Sequence, residues 1–137
     1  MVILDTSALV AFLDAEDRWN VPVTRALRSH AGTLVIPVAI LSEVAHFIER
    51  DLGQHALRVF VDDIVTGSFS VDCGEQDWPR VLELVDRYAD LELGLADAAV
   101  IACAERRKVP VATLDFRHFG AVAREGAIDL LPIAIRP

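Results

Sequence analysis

Val2-Ile-Leu4 runs straight into Asp5-Thr-Ser7 and from there into the apolar stretch Ala8 to Leu13. Three consecutive apolar residues closed by polar ones read as a short buried strand, and the stretch Ala8 to Leu13 reads as a helix whose N-cap comes from Thr6 or Ser7. The chain therefore opens with a strand feeding directly into a helix. An acid at the end of such a strand stands where open α/β sheets put their ligands.

The rest of the chain repeats the alternation. Val21, Val23, Ala26 and Leu27 suggest a second helix, stopped at Ser29 to Gly32. Thr33 to Ile36 is the next strand, and Pro37 opens a helix with Ile40, Leu41, Val44, Phe47 and Ile48 on its apolar side, closed by Arg50 to Gly53. Gln54 to Val65 continues as another amphipathic helix. Gly67 to Val71 alternates as a short strand, Trp78-Pro79 starts a helix reaching Tyr88, and Leu95 to Arg107 is an alanine-rich helix. Val109 to Thr113 is a fourth strand and Ile128 to Leu131 a fifth, with a short helical piece near His118 to Arg124 between them. Short strands alternating with helices make a mainly parallel sheet of about five strands covered on both faces, a three-layer α/β/α arrangement. No repeat or linker interrupts it, so residues 1–137 are expected to form a single domain.

Composition narrows the function. With 13 basic and 21 acidic side chains among 137 residues, the net charge is -8, which opposes broad, charge-driven nucleic-acid binding. Any nucleic-acid role must be local. Two cysteines, Cys73 and Cys103, form no close pair, so a disulfide framework and a zinc ribbon are not expected, and reduced thiols in a cytoplasmic protein are. The start carries no basic stretch and meets an acid at its fifth position, so no secretory leader is expected. The longest apolar run, Ala98 to Ala104, is far short of the roughly 20 residues a bilayer demands, and no membrane role is expected.

Four acids stand in unusual company. Asp5 follows the first strand and Asp115 follows the fourth at a two-residue offset, which places both on one edge of the sheet. Glu43 has Ala39, Ile40, His46 and Phe47 as helical neighbours, and Asp97 has Leu93, Gly94, Val100 and Ile101. A carboxylate on an apolar helix side costs several kcal/mol, on the order of a buried unpaired ion, unless it is paired or coordinated. Taken singly each has a plain explanation: Asp5 and Asp115 as helix caps, Asp97 as a charge favoured by the helix dipole, Glu43 as a residue emerging at a helix margin. Taken together they suggest convergence, and converging carboxylates need a cation. Mg²⁺ or Mn²⁺ suits an all-oxygen donor set, and the lack of clustered Cys and His argues against zinc. Such a site would draw a phosphate to an acidic protein and activate water against it.

The stretches Leu4-Asp-Thr-Ser-Ala-Leu9, Leu41-Ser-Glu-Val-Ala45, Tyr88 to Asp97 and Ala112-Thr-Leu-Asp-Phe-Arg-His-Phe119 resemble the PIN-domain ribonucleases, in particular the VapC-type toxins of toxin-antitoxin pairs. The resemblance covers nearly the whole chain. It implies Mg²⁺- or Mn²⁺-dependent endonucleolytic cleavage of RNA, inhibition by a cognate VapB-type antitoxin, and a homodimer. Asp5, Glu43, Asp97 and Asp115 would be the catalytic and metal-holding quartet, with Thr6 or Ser7 and Thr113 as hydroxyls orienting a carboxylate or water. Some relatives carry a further acid just after the fourth. Here those positions are Arg117, His118 and Phe119, which leaves a second ion site without that donor.

His118 is close enough in sequence to Asp115 to contact a phosphate or donate a proton, and a surface histidine in a turn is an equal reading. Arg106-Arg107-Lys108 sits at a helix C-terminus, where the dipole alone favours it; Arg87 and Arg117 are candidates for phosphate contacts. Two rival functions remain. One is a Mg²⁺-dependent phosphatase with Asp5 as nucleophile, although such enzymes usually have a second acid where this chain has Ser7. The other is a non-catalytic, metal-switched binding domain.

Overall fold

A computed structural model describes residues 1–30 and 32–134. Four strands, β1 (Val2–Leu4), β2 (Leu34–Pro37), β3 (Phe69–Asp72) and β4 (Val111–Ala112), form a parallel sheet in the order β3-β2-β1-β4. Seven α-helices among the described residues surround it: α1 (Thr6–Leu13), α2 (Asn20–Ser29), α3 (Leu41–Phe47), α4 (Gln54–Val65), α5 (Trp78–Arg87), α6 (Leu95–Arg107) and α7 (His118–Arg124).

The layering follows from handedness. From β1 to β3 the sheet grows in one direction, and right-handed crossovers put α1 to α4 on one face. The chain then returns past β1 to add β4, so its crossover helices α5 and α6 fall on the opposite face, where α6 packs against β1, β2 and β4. The fully buried Ile3, Leu4, Ile36, Ile40, Ile101 and Phe119 join the layers in the core. The growth direction reverses between β1 and β4, which makes that edge the crevice of the fold.

Several expected boundaries shift. The fifth strand, Ile128 to Leu131, reduces to one parallel bridge between Leu130 and Val111. Its ladder consists of Val111 N–H to the Asp129 carbonyl and Leu131 N–H to the Val111 carbonyl, and Pro132 then has no N–H with which to continue. The helix after β1 starts at Thr6, so its N-cap is Asp5 rather than Thr6 or Ser7, and the Asp5 side chain makes no capping bond. The segment opened by Pro37 is a 3-10 turn (Val38–Ile40), then α3, then a wide turn (Ile48–Leu52) ended by Gly53 at φ 91°. Ala31, within the expected stop of α2, and residues 135–137 lie outside the described residues. No helix among the described residues is long and apolar enough to cross a membrane.

Candidate active site

The crevice is built on the paired ends of β1 and β4. The Asp5 amide donates to the Ala112 carbonyl at 3.1 Å, which sets Asp5 beside Thr113. Thr113 Oγ1 and Ser7 Oγ donate to the same carboxylate oxygen, Asp5 Oδ2, at 2.9 and 2.8 Å. Each hydroxyl has one proton, and both are spent on Asp5, so the 3.3 Å approach of Ser7 Oγ to Thr113 Oγ1 is a packing contact. Both hydroxyls also accept: Ser7 from the Leu114 amide and Thr113 from the Asp115 amide, each at 2.9 Å. The loop after β4 is thereby tied to the start of α1, which fixes where Asp115 stands.

Asp5 is 4% exposed. Burial raises its pKa, and the Ser7 and Thr113 hydroxyls oppose that rise. Asp97, in the first turn of α6, is half-buried, and its pKa is pushed up to about 6. Burial is the main cause, and the negative charges of Asp5, Asp115 and Glu43 add to it while His118 pulls the other way. One carboxyl thus feels the other three acids, which draws Asp5, Glu43, Asp97 and Asp115 into one electrostatic unit.

Glu43 joins this unit by a route that its neighbours in sequence do not suggest. Their spacing predicts an apolar helix side, yet the residue is exposed, because Ile40, Val44 and Ile48 carry the core contacts of that segment. Its Oε2 accepts from Thr6 Oγ1 at 3.0 Å, so the first residue of α1 holds it toward the crevice. Desolvation therefore does not single it out; position does.

His118 is held more firmly than a turn residue on a surface would be. Its Nδ1 lies 2.8 Å from Asp115 Oδ2 and its Nε2 lies 2.8 Å from the Leu91 carbonyl, while its amide donates to Asp115 Oδ1 at 3.2 Å. Its pKa is raised, chiefly by the bond to Asp115. Ligand atoms of Asp97, Asp115 and His118 lie within 4.8 Å of one another. Two carboxylates at this spacing, Asp97 and Asp115, beside the His118 ring and with the negative charges of Asp5 and Glu43 acting on the same place, fit a hard divalent cation.

Three of the arginine candidates are engaged in ion pairs of their own. Arg106 and Arg107 are taken up by Asp72, and Arg106 also by Asp77, while Arg87 pairs with Glu125. The Asp72, Asp77, Arg106 cluster carries no mark in the sequence, since its partners are 29 and 34 residues apart. Arg117 is exposed.

A family model described as PIN domain matches residues 2–125. The chain is 31% identical over 123 residues to Ribonuclease VapC26 of Mycobacterium tuberculosis, covering 88% of this chain and 91% of that protein. The crystal structure of Mycobacterium tuberculosis VapC20, a Sarcin-Ricin loop cleaving toxin, superposes with a TM-score of 0.78 at 18% identity, covering 96% of this chain and 100% of that one. A toxin-antitoxin complex from Klebsiella pneumoniae gives 0.74 at 17% identity, covering 98% and 100%. At those identities the two structures speak for the fold alone.

Proposed function

Since the chain belongs to the PIN domain family, and within it to the VapC type, we propose that it is a metal-dependent endoribonuclease, the toxin of a toxin-antitoxin pair. In this role residues 1–137 act as one domain working in the cytoplasm, as a homodimer, and restrained by a cognate VapB-type antitoxin. The observation that carries the proposal is the coupling of Asp97 to Asp5, Asp115 and Glu43 at the edge where the sheet order reverses.

In this reading Asp5, Asp97 and Asp115 hold Mg²⁺, with Mn²⁺ as a substitute, and Glu43 completes the shell directly or through water. A divalent cation bound there supplies Lewis acidity, making water nucleophilic at neutral pH and offsetting charge on the phosphodiester. The chain's own residues do the rest. Ser7 and Thr113 hold one Asp5 oxygen with two hydroxyls, which leaves the other for the cation. Thr6 steadies Glu43, and Asp115, anchored through its amide to Thr113, would complete the cation's shell or orient a water. An acidic body favours recognition of RNA by shape and a few contacts over bulk charge.

Asp5 is buried and already accepts two hydroxyls, which supports a holding role over that of a covalent nucleophile in a phosphatase. The deciding experiment is cleavage of total RNA by the purified chain with Mg²⁺, beside Asp5→Asn and Asp97→Asn. Cleavage leaving 5′-phosphate and 3′-hydroxyl ends, lost in both variants and in EDTA, is expected. Full activity in either variant or in EDTA overturns the reading, and a trapped acyl-phosphate on Asp5 would support the phosphatase instead.

A further inference from the structure

The His118 ring lies between two oxygens, one from a backbone carbonyl and one from a carboxylate. The Leu91 carbonyl has no proton to give, and the Asp115 carboxylate faces the other ring nitrogen, both at 2.8 Å. The ring therefore donates from Nε2 to the Leu91 carbonyl and meets the Asp115 carboxylate with Nδ1, bridging the two. The residue's own amide takes the second Asp115 oxygen, so one residue grips both oxygens of that carboxylate.

The far end of the bridge is equally specific. Leu91 closes a 3-10 turn (Ala89–Leu91) whose internal bonds use the carbonyls of Tyr88 and Ala89, leaving the Leu91 carbonyl for the histidine. Glu92 follows at φ 54°, a left-handed conformation that turns the chain sharply into Gly94 and the start of α6. Asp97 sits in the first turn of that helix. At the turn's beginning, the Tyr88 hydroxyl donates to Glu125 just beyond α7. The turn that aims Asp97 is therefore fastened to the α7 segment at both ends.

We propose that His118 is a positioning residue that sets the Asp115 carboxylate against the turn launching the Asp97 helix, fixing the separation of two cation-holding acids. This rests on the nuclease reading and adds a part to it. Asp97 Oδ2 lies 4.0 Å from Nδ1, too far for a hydrogen bond, so the ring's hold on Asp97 runs through the turn.

The test uses the full chain and Mn²⁺ as the probe, with binding followed by the loss of the free-ion electron paramagnetic resonance signal. His118→Ala should weaken Mn²⁺ about 10- to 100-fold, the range for losing a group that orients a ligand. His118→Gln, whose amide keeps one donor for Asp115, should recover part of the loss. Unchanged Mn²⁺ affinity in both variants overturns the proposal. Pulsed spectra of the wild type provide a readout independent of variant folding: no coupling to a directly bound ring nitrogen is expected, and such coupling would make His118 a ligand and overturn the tether. Failure of the wild type to take up Mn²⁺ at all would instead sink the nuclease reading.

Discussion

Thr113 and Asp5, 108 residues apart, meet at the ends of neighbouring strands through a 2.9 Å bond from Oγ1 to Oδ2. The same hydroxyl receives the Asp115 amide, so one threonine couples the position of two acids. Thr113→Val keeps the volume, leaves the Asp115 amide without its acceptor and leaves the buried Asp5 carboxylate with the Ser7 hydroxyl alone. The loss is about 1–3 kcal/mol, the cost of leaving buried polar groups unpaired. Thermal unfolding should show a Tm lower by several degrees, and RNA cleavage should fall at least about tenfold as Asp115 loses its anchor, since 1.4 kcal/mol is about a factor of ten. A variant with wild-type Tm and rate would show that the hydroxyl orients neither acid.

Asp97→Asn should separate stability from function. The neutral amide removes a charge repelled by Asp5, Asp115 and Glu43, so the metal-free variant should melt above the wild type at pH 7.5 while cleaving no RNA. Scanning calorimetry in EDTA beside a cleavage assay reads both. A lower Tm in EDTA would contradict the electrostatic account of the site.

The pH dependence of the metal-free chain has a defined sign. Asp97 binds its proton more tightly folded than unfolded, so between about pH 4 and its folded value of about 6 the unfolded state holds fewer protons and stability falls as pH rises. His118, raised through its bond to Asp115, contributes stability that is lost as pH climbs from its ordinary value through the raised one. Tm in EDTA should therefore decline from pH 4.5 to 8. Added Mg²⁺ should raise Tm more at pH 7.5 than at pH 5, because protons and the ion compete for Asp97. An equal Mg²⁺ effect at both values would count against ion binding at this carboxyl.

Asp72 gives the contrasting case. Burial works to raise its pKa, but the Arg106 and Arg107 guanidinium groups overcome that and hold it at about 2. Its contribution is present above the ordinary carboxyl range and is lost as pH falls toward 2. Asp72→Ala should cost about 3 kcal/mol, as breaking a buried ion pair does, and lower Tm by roughly 10 °C. Mn²⁺ affinity, measured below the new Tm, should not change; a drop would link this cluster to the crevice.

Much of this architecture is legible from patterning. The limits of α4 and α6 coincide with the expected ones, because Gly53 at φ 91° and Lys108 at φ 56° end the helical path sharply. The extent of the fifth strand is not legible, since an apolar run says nothing of how many amides will find a partner before Pro132. Glu43 stands out in the sequence for the wrong physical reason: neighbour spacing suggests burial, and only the fold reveals an exposed side chain held by Thr6. The bond from His118 to Leu91 is beyond the reach of pattern, because its partner is 27 residues away and contributes a backbone atom, which no residue type marks.

The cluster draws on both extremes of the chain, with Asp5 locked to Thr113 and Asp115 locked to His118. A ribosome therefore cannot present an assembled cluster until translation has passed the fourth strand, and a premature stop anywhere before it yields a polypeptide without the proposed site. If that cluster cuts RNA as proposed, the ordering would shield the message and machinery that are making the protein until synthesis is nearly complete.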